Sequence, residues 1–313
     1  MSSTLDNQFL SKRPDAISLM AVIVHVAFVF CPVYLAAIFG WNFALPFLWL
    51  WYGASMNGLV NLMHECAHGH TFKRRSWCDF LGRWILAPLT FSDFDNYRQL
   101  HWEHHRSLGE QGDPKYTYKM DIRGRRFPIL LLKCLLGIEA VKKFAYQINN
   151  RNKMKESRSQ SWIIRIIVTQ FIFITSLFAV SGWFNSHDTK ALCGAVLAYV
   201  IVYAYGTLSL TLLMATLRAI AEHQDGMDKP TLVGTAALRN LRCGPIGRLL
   251  LGCYGFAEHA THHSLPFIPS YHLVLATKVF STEDRYLIPR LTYLSLLRQQ
   301  VIRPESQKIE HAI

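Results

Sequence analysis

Four long apolar runs constrain the fold of this 313-residue chain more than any other feature of its sequence. A helix needs about 20 predominantly apolar residues to cross a bilayer, and each run is nearly free of charge over that length. The predicted spans cover residues 16–39, 43–63, 162–184 and 191–217. With 51% hydrophobic and 17% charged residues, the chain is too apolar for a typical soluble enzyme. The sequence therefore predicts an all-α membrane protein with four transmembrane helices.

The distribution of positive charge indicates how the chain is oriented. Its net charge of +12 would also suit a nucleic-acid partner. Lys and Arg are, however, concentrated in the N-terminal tail, in residues 64–161 and after residue 217. The short loops on the other side contain a single basic residue, Lys190. By the positive-inside rule, both termini are expected in the cytosol, and no nucleic-acid partner is expected. The membrane is then a bacterial inner membrane, or the endoplasmic reticulum in a eukaryote.

The rest of the chain fits one integral-membrane domain over residues 1–313. Two shorter apolar stretches, 80–91 and 127–140, are interrupted by Arg83 and Lys133, so we interpret them as interfacial or re-entrant helices. The polar N-terminus lacks a cleavage site after the first apolar run, which predicts a retained anchor. Seven cysteines without a C-x-x-C pair predict reduced thiols.

Nine of the fourteen histidines form a pattern. They comprise an H-x-x-x-H pair, two H-x-x-H-H clusters and a single histidine after the fourth span: His64 and His68; His101, His104 and His105; His259, His262 and His263; and His223. Residues three and four apart share one face of a helix, so each cluster can direct its imidazoles toward one point. The predicted topology places all nine on the cytosolic side, beside membrane ends.

The number of these histidines predicts a site for two metals. Imidazole binds iron, zinc, copper and nickel, and a zinc site takes three or four protein ligands. Nine ligands exceed the capacity of one ion, whereas two ions with four or five histidines each, joined by an oxygen bridge, fit the count. The other histidines are interpreted as packing or surface residues: His25, His70, His187, His272 and His311.

The histidine motifs resemble those of the membrane-bound fatty acid desaturase superfamily, which also contains alkane hydroxylases and carotenoid ketolases. The matching segments are H-E-C-A-H at 64–68, H-W-E-H-H at 101–105 and H-A-T-H-H at 259–263, and the likeness extends over about residues 15–280. It implies four spans, a cytosolic helical cap carrying a di-iron centre, O2 as oxidant and a lipid or fatty-acyl substrate. His223 falls where the family carries an additional ligand between the second and third motifs.

The resemblance leaves the electron donor and the exact reaction open. No His-Pro-Gly-Gly motif of a fused cytochrome b5 domain is present, so the electrons are expected from a separate carrier of the ferredoxin or cytochrome b5 type. Acyl-chain desaturation is favoured over hydroxylation, ketolation and terminal-alkene formation, which remain alternatives.

Several polar residues beside the histidines are candidates for orienting them. Metal-bound imidazoles usually donate their second N–H to a carboxylate or carbonyl. The candidate carboxylates next to motif histidines are Glu65, Glu103, Glu222 and Glu258, with Asp93, Asp95 and Asp113 as further possibilities. Asn61 lies three residues before His64 on the same helical stripe, so we expect it to point into the metal site, directly or through a water.

Two other classes of protein compete with the oxidase interpretation. The segment 64–68 also satisfies H-E-x-x-H, the zinc-protease signature in which Glu65 would be the general base. That interpretation leaves six patterned histidines unexplained. A non-catalytic metal carrier is the second alternative. Two irons per chain would favour the oxidase, and one zinc with peptide cleavage the protease.

Overall fold

A computed structural model describes residues 9, 11–40, 42–110, 112–114, 124–149, 161–185, 189–223, 238–280 and 291–302. His187 and His311 lie outside these residues. The chain is mostly helical, and the α-helices in chain order are α1 Asp15–Phe39, α2 Leu45–His68, α3 Arg75–Phe80, α4 Ala87–Leu89, α5 Phe94–Arg106, α6 Arg126–Leu135, α7 Ile138–Asn149, α8 Ser161–Phe184, α9 Thr189–Leu197, α10 Leu212–His223, α11 Pro245–Leu250, α12 His259–Ser264, α13 Ser270–Phe280 and α14 Tyr293–Ile302.

Among the described residues, three helices are long and apolar enough to cross a membrane: Asp15–Phe39, Ser161–Phe184 and the continuous helical segment Thr189–His223. They match the first, third and fourth predicted spans. The second predicted span begins two residues before α2 and ends within it; α2 is 24 residues long but carries the buried polar residues Asn57 and Asn61. These polar side chains make α2 less apolar than the other three helices. They donate hydrogen bonds to the Leu250 and Cys253 carbonyls rather than facing lipid.

An aromatic cluster joins these helices in the centre of the bundle. Phe30 of α1, Tyr52 of α2 and Phe173 of α8 surround Tyr203 with ring centroids 4.7–6.1 Å from it. Aromatic pairs at such separations stabilise packing beyond their buried area, by about 0.5–1.5 kcal/mol each. The outer faces of α1 and α8 remain apolar and exposed, as at Met20 and Phe171, which is the pattern of a lipid-facing surface.

The segment Thr189–His223 contains two π-helical stretches, Ala198–Tyr205 and Thr207–Thr211, between α9 and α10. At about 1.5 Å per residue its 35 residues extend about 50 Å, which exceeds the ~30 Å hydrocarbon core of a bilayer. The helix continues past Leu217, where the predicted fourth span ends, and its last residue is His223. This long apolar helix therefore carries one of the patterned histidines, His223, as its last residue.

The first short apolar stretch packs against the bundle. It is helical from Arg75 to Leu89 through a π-helical turn at Leu81–Leu86. Gln170 of α8 donates to the Pro88 carbonyl over 3.0 Å, and Tyr203 donates to the Leu89 carbonyl over 3.0 Å. These bonds fix α4, and therefore the start of α5, relative to the bundle. The second stretch forms α6 and α7, which expose Leu132 and Val141, in keeping with an interfacial position.

Close packing between Gly82 and Phe94 sets the approach of α5, the helix that carries the second histidine motif. A Cβ at position 82 would lie 2.3 Å from the Phe94 ring, and that ring is 1% exposed. We expect Gly82→Ala to destabilise the protein by about 1–3 kcal/mol, the usual cost of overpacking a core. Thermal unfolding in detergent measures this, with Gly244→Ala as control because a Cβ there has nothing within 4 Å. Equal midpoints for the two variants would contradict the packing argument.

The third histidine motif is placed by a sharp turn. Tyr254 and Gly255 have φ of 52° and 73° in the short helical segment Cys253–Glu258, directly before α12. Gly adopts this conformation readily, whereas for tyrosine it is strained and requires support from the surroundings. The Tyr254 hydroxyl lies 2.6 Å from His25 Nδ1 of α1. The two-residue strands Leu241–Arg242 and Leu291–Thr292 pair in parallel; the first precedes this turn in the chain and the second follows it.

Candidate metal centre

Five histidines from three helices converge as a first histidine group. Its members are His64 and His68 of α2, His101 and His105 of α5, and His262 of α12. One ring nitrogen from each lies within 4.8 Å of the corresponding nitrogens of the other four. His68 Nε2 and His105 Nε2 are 2.7 and 3.1 Å from His101 Nε2. The H-x-x-x-H pair and both H-x-x-H-H clusters therefore meet, although they are up to about two hundred residues apart in sequence.

Four further histidines form a second histidine group beside the first. His104, His259 and His263 present ring nitrogens within 4.8 Å of one another. His223 joins them from the end of α10, with its Nε2 3.2 Å from His259 Nε2. The two groups adjoin where the rings of His105 and His263 stack with centroids 4.0 Å apart. All nine patterned histidines are thus brought together, five in one group and four in the other.

Helical geometry explains how each H-x-x-H-H cluster serves both groups. Residues four apart are separated by about 40° around a helix, so His101 and His105 stay together, as do His259 and His263. The residue three positions on is rotated about 60° the other way, which directs His104 and His262 to the opposite group. The spacing therefore supplies ligands to two neighbouring points from a single turn of helix.

The spacing of the ring nitrogens fits metal ions. Imidazole nitrogens bind metals at about 2.0–2.1 Å, so adjacent donors around one ion are separated by about 3 Å. The Nε2–Nε2 distances of 2.7, 3.1 and 3.2 Å match that separation. Among the described residues, neither ring nitrogen of His262 or of His263 has a hydrogen-bond partner, although both side chains are buried. An unmet buried polar group costs about 1–3 kcal/mol, which a bound cation would offset.

The protonation state of these two side chains also suits metal binding. Burial lowers the pKa of His262 and of His263 well below the usual histidine value, and the neighbouring histidines lower it further. Both rings are therefore neutral at physiological pH. Neutral imidazole is the form that binds a metal.

Asp113 orients His104 from behind. Its Oδ1 lies 2.8 Å from His104 Nδ1, and both side chains are fully buried. The second carboxylate oxygen accepts the backbone N–H of Gly109 over 3.1 Å. A carboxylate at Nδ1 keeps the proton on that nitrogen and directs Nε2 toward the second histidine group.

We expect Asp113→Asn to lower metal affinity by about 10–100-fold, as is typical when the partner of a ligating histidine is lost. The amide could present its N–H to Nδ1 and so favour the wrong tautomer. Competition with a chelator, followed by metal analysis, measures the loss. Asp95→Asn is the control, since Asp95 pairs with Arg83 over 2.8 Å and lies outside both groups. An unchanged affinity in Asp113→Asn would contradict this role.

Glu65 lies behind the first histidine group. Its Oε1 is 3.3 Å from His64 Nδ1, and its Oε2 accepts the backbone N–H of Ser270 over 3.0 Å. His70 also faces this carboxylate, with its Nδ1 3.8 Å away. Glu65 therefore contacts the Nδ1 side of His64, a candidate ligand, and connects α2 to the start of α13 through a hydrogen bond.

A buried ionic network supports the second histidine group. Glu222 Oε2 lies 3.6 Å from His259 Nδ1, and its other oxygen is 3.5 Å from Arg218 Nε. Tyr293 of α14 donates to the same oxygen over 3.4 Å. The Arg218 guanidinium stacks 3.8 Å above the Phe256 ring. Sequence reasoning missed Arg218, although its position one turn before Glu222 on the same helix was a usable signal.

The expectation that Asn61 points into the metal site is corrected by the structure. Its Nδ2 donates to the Cys253 carbonyl over 3.1 Å, and its Oδ1 accepts from Arg218. Both polar atoms are therefore used to hold the turn before the third motif and the arginine of the ionic network. Asn61 is connected to the histidines indirectly, because it bonds to Arg218, which pairs with Glu222, and Glu222 faces His259.

The remaining candidate carboxylates differ in how deeply they are buried. Glu258 is fully buried next to His259 in sequence, whereas the Glu103 carboxylate accepts an exposed hydrogen bond from Gln99 over 3.0 Å. Asp93 accepts the backbone N–H of Asp95 and caps the start of α5. The contacts of Glu103 and Asp93 stabilise α5 rather than the histidine rings.

Comparison with known proteins identifies the family. The model of the family described as fatty acid desaturase matches residues 40–293, well over half of the chain. The chain belongs to the fatty acid desaturase family. It is accordingly an enzyme of the desaturase or hydroxylase type, and its three apolar helices agree with the membrane-bound character of the family.

The most similar relatives include lipid desaturases. An sn-1 oleoyl-lipid 12-desaturase from Arthrospira platensis is 24% identical over 90% of this chain and 81% of its own length. The same-named enzyme from Synechocystis sp. is 35% identical, but over only 23% of this chain and 20% of its own length. A Delta(9) fatty acid conjugase-like enzyme from Dimorphotheca sinuata is 23% identical over 74% of this chain and 67% of its length.

Proposed function

We propose that this chain uses O2 to introduce a double bond into the acyl chain of a membrane lipid or fatty acid, at a pair of iron ions held by the two histidine groups. The observation that carries the proposal is the convergence of nine histidines into two adjoining groups of five and four. The relatives named as oleoyl-lipid desaturases support the lipid substrate.

In this proposal the nine histidines are the iron ligands, and three acidic neighbours position them. Asp113 and Glu65 orient His104 and His64, while Glu222 faces His259. Bound iron would supply O2 reduction and the removal of hydrogen from an unactivated methylene. The role of this chain is to hold the ligands, place one carbon beside them and exclude water.

The reaction must balance with an external reductant. Desaturation removes two hydrogen atoms from the acyl chain, and O2 takes these together with two electrons and two protons to leave as two waters. Hydroxylation uses the same oxidant and reductant but transfers one oxygen atom to the carbon and releases one water. The two electrons come from a separate carrier of the ferredoxin or cytochrome b5 type.

We further propose one membrane domain over 1–313 with four spans, formed by α1, α2, α8 and Thr189–His223. Both termini and the two histidine groups then lie on the cytosolic side. The cap over the groups is built from α5, α12 and their neighbours. This arrangement agrees with the concentration of Lys and Arg in the same regions.

The zinc-protease alternative is disfavoured by the position of Glu65. In such an enzyme the glutamate acts as general base on the open side of the metal. Here both oxygens of Glu65 are directed to His64 Nδ1, His70 and the Ser270 backbone, behind the candidate ligand. The same segment is better explained as two ligands with an orienting carboxylate.

Mass analysis of lipids tests the proposed reaction. The protein is expressed in a host of defined lipid composition, and the extracted acyl chains are compared with those from a host expressing His262→Ala. Loss of two hydrogens from an acyl chain is expected. Gain of one oxygen would instead assign hydroxylation to the same centre, and unchanged lipids with a functional electron donor present would contradict the proposal.

A further inference from the structure

One histidine of the metal centre is accessible from outside. Eight of the nine patterned histidines are buried, and His105 alone among them is partly exposed. A large redox partner cannot contact the buried rings directly, and electron tunnelling weakens steeply with distance. The shortest route into the centre from a protein docked on the surface therefore starts at the edge of α5 that carries His105.

Trp102 extends this accessible edge. Its half-buried ring lies against two members of the first histidine group, with ring centroids 4.7 Å from His68 and 5.5 Å from His105. An indole in this position provides a continuous aromatic contact between the surface and two candidate ligands. Among the described residues, Trp102 makes no hydrogen bond that would explain why an aromatic ring is present at this position.

His105 connects the same edge to both histidine groups. Its Nε2 lies 3.1 Å from His101 Nε2 in the first group, and its ring stacks on that of His263 in the second, with centroids 4.0 Å apart. An electron arriving at this edge therefore has a short path to either metal position.

We propose that Trp102 and the exposed edge of His105 form the point at which a separate one-electron carrier delivers electrons. The inference rests on the proposed function, which requires two electrons per turnover. Two reduced carrier molecules each lose one electron, and the metal centre gains them. The chain carries a net charge of +12, and the exposed Arg106 lies one helical turn beyond Trp102, so an acidic carrier such as a [2Fe–2S] ferredoxin fits best.

The experiment compares two electron donors on the iron-loaded, full-length protein. One donor is a reduced [2Fe–2S] ferredoxin, and the other is dithionite with a small viologen mediator, which can approach His105 without a docked protein. Trp102→Leu removes the aromatic contact, and Trp102→Phe retains it in part. Trp77→Leu is the matched control, because Trp77 is 51% exposed on α3 and lies outside both groups.

With ferredoxin, we expect Trp102→Leu to slow both the oxidation of the carrier and product formation several-fold, and Trp102→Phe to recover most of the rate. With the viologen, all variants should turn over at the wild-type rate and retain the same iron content. Equal rates with ferredoxin in wild type and Trp102→Leu would overturn the inference. Equal loss with both donors, or loss of iron, would also overturn it by assigning Trp102 a structural role.

Failure of the proposed function gives a different result. In that case the iron-loaded wild type forms no product with either donor, although it retains its metal. A normal viologen-driven reaction in every variant, together with ferredoxin rates that do not depend on residue 102, leaves the proposed function intact and removes only this inference.

Discussion

Replacing His262 with alanine is expected to abolish product formation and metal binding at the first histidine group, while the protein still inserts into the membrane. The His262 ring lies 4.6–5.0 Å from the rings of His64, His68 and His105, measured between centroids. Its removal deletes one candidate ligand and opens a space in a cluster whose other members are buried, apart from the partly exposed His105. Metal analysis of the purified protein and mass analysis of the lipids measure the two effects.

His104→Ala should have the corresponding effect on the second histidine group, and its product should also fall to background. His272→Ala is the matched control, because His272 lies outside both groups and contacts the Ser11 carbonyl over 3.1 Å. Full activity in His262→Ala or His104→Ala would contradict the assignment of ligands. Loss of activity in His272→Ala as well would show that the assay reports folding rather than metal binding.

The second large effect is expected from Arg218→Gln. This change removes the partly buried cation that holds Glu222 and Asn61, so Glu222 no longer has a fixed position facing His259. Breaking a buried ion pair by removing one partner typically costs about 3–5 kcal/mol, since the other charge stays buried. We expect the metal of the second histidine group to be lost while the first group keeps its metal.

Metal content per chain separates this effect from general unfolding. Arg218→Lys should retain part of the metal, because it keeps a positive charge near Glu222 but loses the planar stacking on Phe256. Arg165→Gln serves as control, since Arg165 sits near the start of α8 and bonds to Ser161 over 3.1 Å. Full metal content in Arg218→Gln would show that the ionic network does not support the site.

The sequence predicted which histidines would lie close together, but not how they are distributed between the two histidine groups. Helical spacing places His64 with His68, and His101 with His105, on common faces, and both pairs lie together in the structure. The assignment of His104 and His262 to opposite groups depends on how α5 and α12 are rotated against each other. That rotation is set by tertiary packing, such as the contact of Phe94 with Gly82, and a single sequence does not reveal it.

Polar neighbours of the histidines were harder to predict, because closeness in sequence does not determine the direction of a side chain. Glu103 and Glu222 both adjoin a patterned histidine, yet one faces outward and the other is 1% exposed against His259. Asn61 lies on the stripe of His64 but bonds to Cys253 and Arg218, which come from distant parts of the chain. Long-range contacts of this kind decide the role of a polar residue.

The long apolar helices were predicted more accurately than the residues at which they end. In the part of the chain that the structure describes, the first, third and fourth predicted spans correspond to helices long and apolar enough to cross a bilayer, and the second predicted span overlaps α2. The helix that contains the last predicted span continues past Leu217 to His223, although Arg218 and Glu222 interrupt the apolar run. Their charges pair with each other inside the protein, so the helix does not need to end there.

The number of iron ions per chain in the purified, reconstituted wild-type protein distinguishes a two-metal centre from a single-metal site. Two adjoining histidine groups should bind two irons per chain, with nitrogen ligands visible in the X-ray absorption spectrum. A single zinc ion per chain, or one iron that occupies only the first histidine group, would contradict the account.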